Sequence, residues 1–578
     1  MDVKKRTMLI LVLIISLFML WDNWQVYNGK PSLIFSYRNS DEKKEEAKTA
    51  GPAGLPVEST QKVAAAEQEK AKAKAAEAEK QAAAQKAADV VTVKTDVFQL
   101  AINANGGVFQ NLELLQYRDN DDKNDMVLFE NNPPKVYLAQ TGLTGGKYPN
   151  HATHFNIHPG NFTMADGQNE VKVVMDATQN GVRLVKTFTF KRGSYVVDVN
   201  QQVTNLGGEP INTKLYLQLL RDSSRPEGQS RFVSTFTGPA VYSTEEKFQK
   251  LKFDNITEEG SSDKFVKQSE DGWVAMVQHY FVSAFIPAQG TARENYTSKV
   301  GEDLYAVGTQ INMDIAPQAT VSNDSHLYMG PQNTKLLEQA APGLDLVKDY
   351  GFLTVVAKPI FWVMNRIYDE VGNWGWTIVI LTILIKLILS PLSHMGYKSM
   401  ARMRKFTPVI NRLKDRYKDD PQSMKREMID LYKREKINPA GGCLPMIVQM
   451  PVFLSLYWVL LASIEIRNAP WLGWITNLAA SDPYYLLPIF MAGTMFLQQK
   501  MSPPPPDPMQ AKIMMFVPLA FSISFFFFPA GLVLYWIVNN LISIGHHYYI
   551  NKMADKVVEE EKAAAAQAKP VTSKTKRR

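Results

Sequence analysis

Cysteine is nearly absent: Cys443 is the single one in 578 residues. No disulfide can form within the chain, and no CxxC pair exists for zinc or redox chemistry. Carboxylates are missing where charge is most costly. The long apolar runs of the C-terminal third contain no Asp or Glu. Ion-coupled transporters place carboxylates at membrane depth and carry inverted repeats; neither feature is found. Histidine is sparse too, with 8 in all. His151, His154 and His158 have a spacing that would put three metal ligands on one helix face. Their surroundings (Asn150, Pro159, Gly160) read as loop, and no acidic or cysteine partner lies near them. No metal, no cofactor and no catalytic set are expected, so the chain is not expected to be an enzyme.

What the chain does have is apolar length, unevenly placed. The run Trp374–Pro391 (WGWTIVILTILIKLILSP) can cross a hydrocarbon core of roughly 30 Å as a helix. Four further candidate spans follow at Leu444–Ile464, Tyr484–Gln499, Ala511–Phe528 and Ala530–Ile550. The net charge of +7 is concentrated beside these runs. Between His394 and Ala440 there are 13 Lys/Arg against 6 Asp/Glu, which should hold that stretch in the cytoplasm. The C-terminus, ending Lys574-Thr-Lys-Arg-Arg578, falls on the same side.

The remaining chain divides by composition. Residues 1–25 pair a basic start (Lys4, Lys5, Arg6) with an apolar run and Trp21 and Trp24. Either a signal peptide or a retained anchor has this outline. No small-residue cleavage site follows, which favours the anchor with its N-terminus inside. Residues 26–90 form an Ala/Lys/Glu-rich stretch with too few large apolar residues for a core, expected to be a flexible periplasmic linker. From 91 to 340 the pattern has period two, as in Thr187-Phe-Thr-Phe190 and Leu215-Tyr-Leu-Gln-Leu219. Turn signals such as Asn180-Gly181 punctuate it, and an exported all-β sandwich is predicted. Residues 341–373 carry an apolar stripe (Val355, Val356, Ile360, Val363, Met364, Ile367) opposite Lys358, Arg366, Asp369 and Glu370. That pattern predicts an amphipathic helix along the outer interface. Residues 392–443 read as a cytoplasmic helical hairpin, its second arm starting at Asp420-Pro421. Its methionines serve as core filler or as an adaptable surface. Its basic face could be solvated or could meet anionic lipid or RNA, lipid being the simplest. Spans three to six occupy 444–550, and a basic cytoplasmic tail 551–578. The fold class is thus a multi-domain membrane protein: a six-span α-helical bundle, a periplasmic all-β domain and a cytoplasmic hairpin.

One residue does not belong in its run. A charge inside a spanning helix costs roughly 2.5–3.5 kcal/mol on insertion scales, and Lys386 lies about 18 Å below Trp374. Two readings compete. The long stem could snorkel to the inner headgroups, or the ammonium could line a wet surface. Thr382, Lys386 and Ser390 share one helix face at i, i+4 and i+8. Gln449, and then Tyr535, Asn539 and Ser543 at steps of four, offer matching polar positions on other spans. With no carboxylate to pair with, the cation calls for water.

Several local motifs carry a resemblance. They are Ala341-Pro-Gly-Leu-Asp-Leu346, Asp349-Tyr-Gly351, Gly372-Asn-Trp-Gly375 and Asn438-Pro-Ala-Gly-Gly-Cys-Leu-Pro445. Gln449-Met-Pro-Val-Phe453, Glu465-Ile-Arg467, Asp482-Pro-Tyr-Tyr485, Gln499-Lys-Met-Ser502 and Pro529-Ala-Gly-Leu-Val-Leu-Tyr535 complete the set. Together they resemble the YidC family of membrane protein insertases, in its Gram-negative form with a large periplasmic domain. The resemblance implies an inner-membrane protein with a groove open to the cytoplasm and to lipid. It implies insertion and folding of nascent membrane proteins, alone or with the Sec translocase, with the ribosome and anionic lipids as further partners. It also implies a β-supersandwich similar to carbohydrate-binding folds, and a groove lined by Lys386, Thr382, Gln449 and Tyr535, with Trp536 at an aromatic position. The family's groove arginine falls on Lys386, a departure that keeps the charge and loses the planar fork of donors.

Overall fold

Alternation sets the first half of the structure. In the strand Glu170–Gln179, Val171, Val173, Met175 and Ala177 are buried while their neighbours are not. The next strand, Val182–Lys191, repeats the pattern. The two pair antiparallel with Gln179 opposite Val182. Between them Asn180 and Gly181 both adopt positive φ, +49° and +74°, as a two-residue hairpin turn matched to the strand twist requires.

The computed structural model describes residues 89–567 apart from 120–122, 227–234, 418–419, 436–443, 502–515, 517 and 519. The expected anchor (1–25), nearly all of the linker (26–90) and the tail from 568 lie outside the described residues. So do much of the Ala511–Phe528 span and residues 436–443 at the end of the expected hairpin.

Two antiparallel sheets of nine strands each build the β domain. One runs, edge to edge, through Val90–Lys94, Phe98–Asn103, Val108–Arg118, Asp125–Asn132, Lys135–Leu143, Ile211–Asp222, Leu304–Ile315, Arg293–Lys299 and Gln268–Ser269. The other runs through Lys247–Lys250, Gly238–Ser243, Trp273–Gln278, Phe281–Pro287, Thr320–Pro331, Val196–Asn205, Val182–Lys191, Glu170–Gln179 and Asn156–Ile157. Their inner faces share one core, in which Phe98, Phe109, Phe188 and Phe190 meet ring to ring. This is the predicted all-β sandwich.

Helices follow: α1 (Thr334–Ala340), α2 (Thr354–Val371), α3 (Trp374–Arg416), α4 (Pro421–Arg434), α5 (Leu444–Ala462), α6 (Leu486–Met501) and α7 (Ala530–Gln567). The buried face of α2 is Ala357, Phe361 and Met364, so the expected stripe is displaced. Met364 belongs to it and Ile360, Val363 and Ile367 flank it, but Val355 is 85% exposed. Ala357 is fully buried, next to the half-buried Val356, and takes the inward position at this turn of α2.

Helix α3 is capped by the Asn373 side chain and runs 43 residues without a stop, through both Pro391 and Pro408. The apolar run is therefore only the first half of one helix. Helix α4 starts at Pro421, where the Asp420 carboxylate accepts from the amides of Gln422 and Ser423. Ile410 and Leu431 are buried where α3 and α4 meet. By length and composition, Trp374–Gly396 is the one described segment apolar enough to cross a membrane, and Ile447–Ala462 is a shorter apolar helix.

Candidate functional site

Helices α3, α5 and α7 pack around a second core that includes Ile378, Leu381, Leu456, Leu460, Val533 and Leu534. One end of this bundle is closed by the chain between α5 and α6. Trp376 meets Trp471 edge to face, and the amides of Ala530 and Gly531 donate to the carbonyls of Ala480 and Leu478. Measured from that closed end, Lys386, Gln449 and Ser543 lie at one depth, each about 18–20 Å along its helix. Side chains on three different helices can therefore meet.

They do meet. The Lys386 ammonium donates to Ser543 Oγ at 2.9 Å and to Gln449 Oε1 at 3.3 Å. Gln449 Nε2 donates to the Tyr535 hydroxyl at 3.2 Å and to Asn539 Oδ1. Ser543 Oγ donates its own proton to the Asn539 carbonyl at 2.8 Å. All the acceptors are neutral, and Tyr535, Asn539 and Ser543 are buried. The arrangement can hold a positive charge among dipoles and offer hydrogen bonds to a polar guest. Its one serine–lysine contact, Lys386 to Ser543, has the serine proton committed to the Asn539 carbonyl, so the lysine is not placed as a base for that hydroxyl.

Three expected residues stand outside this network. The Thr382 hydroxyl is buried and donates to its own helix, to the Ile378 carbonyl at 2.6 Å. A threonine in a helix interior commonly does this, so face-sharing with Lys386 did not make it a partner. Ser390 is half-buried one turn further on. Trp536 packs edge to face on Phe453 at 4.8 Å, and its buried Nε1 has no hydrogen-bond partner among the described residues. Asn539 and Ser543 complete the network; their spacing of four and eight from Tyr535 was the signal that carried them.

No cluster of three or more His, Cys, Asp or Glu among the described residues could hold a metal. The histidines are spoken for separately. The His151 ring meets Tyr216, His154 meets Asn105, and His158 meets Asp176 at 2.8 Å.

Residues 90–363 match the family described as the YidC periplasmic domain, and residues 366–557 the family described as 60Kd inner membrane protein. The Membrane protein insertase YidC of Janthinobacterium sp. (strain Marseille) is 50% identical over 574 residues, covering 96% of this chain and 99% of that relative. The chain belongs to the YidC family of membrane protein insertases. The YidC of Cupriavidus metallidurans is 48% identical, covering 96% of this chain and 98% of its own. A solved structure described as an active YidC insertase with its first transmembrane domain resolved aligns at 17% identity and a TM-score of 0.38, covering 80% of this chain and 92% of that one.

In this YidC-family chain the β domain is fastened to the closed end of the bundle. His279 Nε2 donates to the Leu461 carbonyl at 2.9 Å, satisfying a carbonyl at the C-terminal end of α5. Lys348 reaches both Glu465 carboxylate oxygens, at 3.1 and 2.9 Å, and lies over the Phe361 ring at 3.9 Å. Burial pushes the Lys348 ammonium below the usual lysine value, and the Glu465 charge opposes that shift.

Proposed function

We propose that this chain inserts nascent integral membrane proteins and helps them fold, alone or beside the Sec translocase, through a polar groove centred on Lys386. The supporting observation is an ammonium held at mid-helix by neutral acceptors from two facing helices. The segments 374–396, 444–462, 486–501 and 530–550 contain no Asp or Glu to neutralise it. Groove, closed end and fastening together suit a site open toward the cytoplasm and shut toward the periplasm.

The mechanism needs no bond to be made or broken. A hydrophobic segment of the client lies along the exposed apolar faces, where Leu387, Ile388, Ile489 and Phe490 point outward. Its polar flank occupies the groove beside Lys386, so the low-dielectric path that flank must cross is shorter. The segment then leaves for lipid, driven by its own apolar transfer. Six spans place both termini and the α3–α4 hairpin in the cytoplasm of a bacterial inner membrane. The hairpin receives the client, the basic tail meets the ribosome, and the basic face meets anionic lipid. Helix α2, with Val355 and Trp362 exposed, lies at the outer interface.

Photo-crosslinkers at Thr382, Gln449 and Tyr535, combined with a ribosome-stalled membrane-protein chain, test the path. Adducts from the client's polar flank are expected at these positions, while Leu387 and Ile388 should cross-link only to its hydrophobic segment. In a depleted strain, Lys386→Arg should sustain growth and Lys386→Glu should not. Equal growth of the two would sink the role of positive charge.

A further inference from the structure

We propose that Ser543 is the positioning residue for the Lys386 charge: it holds the ammonium inside the groove wall, at mid-depth, and prevents it from reaching along its own helix to water. This inference rests on the groove reading above and adds the device that fixes where the charge sits.

The starting point is what a lysine on α3 is free to do. Its four-carbon stem can carry the ammonium toward whichever end of the helix meets water. Helical side chains lean toward the N-terminus of their own helix, which on α3 is the closed end. A lysine that snorkelled toward the open end would fold back against that lean, past Ser390. The ammonium does neither: it crosses sideways to α7 and α5.

The acceptor on α7 is oriented before the lysine arrives. Ser543 Oγ gives its only proton to the Asn539 carbonyl one turn earlier, at 2.8 Å. Only lone pairs remain to face Lys386, at 2.9 Å. Ser543 itself is 4% exposed, so water competes poorly for those lone pairs. Gln449 is set the same way. Its amide nitrogen is engaged by Tyr535 and Asn539, which turns Oε1 toward the ammonium. The reverse orientation would set NH2 against the cation. Lysine has three N–H donors, and these two acceptors take two of them. Ser543 makes the shorter contact and Gln449 the longer. Removing Ser543 therefore removes the better half of the hold, and the flexible stem releases the charge toward the open end.

The test uses the full-length protein in membrane vesicles. A membrane-permeant amine-acylating reagent is applied, and modification of the Lys386-containing peptide is followed by mass spectrometry alongside insertion of a single-span client. In Ser543→Ala, labelling of Lys386 should rise roughly five-fold, as expected for loss of one hydrogen bond from a two-state balance, and client insertion should fall. Ser543→Thr, which keeps the hydroxyl, should restore both readouts; a merely structural defect would not change the labelling and be rescued by a hydroxyl. If Ser543→Ala leaves labelling and insertion unchanged while Lys386→Leu abolishes insertion, the positioning role is overturned and the groove reading stands. If Lys386→Leu inserts clients as well as the parent, the groove reading fails first and takes this inference with it.

Discussion

Lys186 is fully buried in the β sandwich, on the strand face that also carries Val182, Leu184, Phe188 and Phe190. The period that turns Phe188 and Phe190 inward turns Lys186 inward as well, so its location was legible from the sequence. Its partners were not. The ammonium donates to the carbonyls of Gly106 at 2.6 Å and Thr141 at 2.8 Å, both remote in sequence, and it sits over the Phe155 ring. Gly107 is required beside it: a Cβ there would meet Met175 Sδ at 2.6 Å and the Lys186 stem at 3.4 Å. Burial without a carboxylate pulls the lysine from 10.5 to about 7. Between those values the unfolded chain holds a proton that the folded chain lacks, so stability should rise with pH across the window, on the order of 1 kcal/mol per unit. Thermal unfolding of the full chain in detergent between about pH 7.5 and 9.5 reads this slope. Lys186→Met should flatten it. An unchanged slope in the variant would show that other groups set the pH dependence.

At the scale of elements, the end of α5 was marked in the sequence without being explained. Glu465-Ile-Arg467 stood out as a motif, but no periodicity pairs it with a residue more than a hundred positions earlier. The structure supplies the pairing. The side chains of Lys348 and Glu465 are 2% and 13% exposed, and Arg467 stacks over Tyr280 at 5.4 Å. Helices were legible because propensity and capping are local: Asp420-Pro421 announced α4, and the structure starts it there. The length of α3 was less legible, because Pro391 reads as a boundary and the helix runs through it. A buried ion pair is a poor source of net stability, yet breaking it strands one charge. Lys348→Met alone should destabilise the detergent-solubilised protein by about 3–5 kcal/mol. The double replacement Lys348→Met with Glu465→Leu should cost much less than the two single changes together. Additive single costs would mean that the two side chains act independently, contrary to their geometry.

For the whole molecule, the decisive question is how the chain is threaded, because the groove reading assigns a side of the membrane to every loop. The shortage of cysteine noted at the outset makes the test simple. Cys443→Ser leaves a chain with no thiol. Single cysteines can then be placed at exposed positions: Gly208 in the β domain, Ser481 at the closed end of the bundle, Gln422 on α4 and Lys552 on α7. Sites on the far side of a sealed bilayer are shielded from a charged, impermeant maleimide, since an ion in hydrocarbon costs several kcal/mol. In intact cells with a permeabilised outer membrane, the cysteines at 208 and 481 should react at once. Those at 422 and 552 should react only after the inner membrane is opened. That pattern puts an odd number of crossings between 208 and 422, again between 422 and 481, and again between 481 and 552. It would also place Lys386 in a helix whose closed end faces the periplasm. Reaction at 422 in intact cells would reverse α3 and turn the groove outward. The charge would then face the wrong side for a client arriving from the ribosome, and the function proposed for this arrangement could not stand.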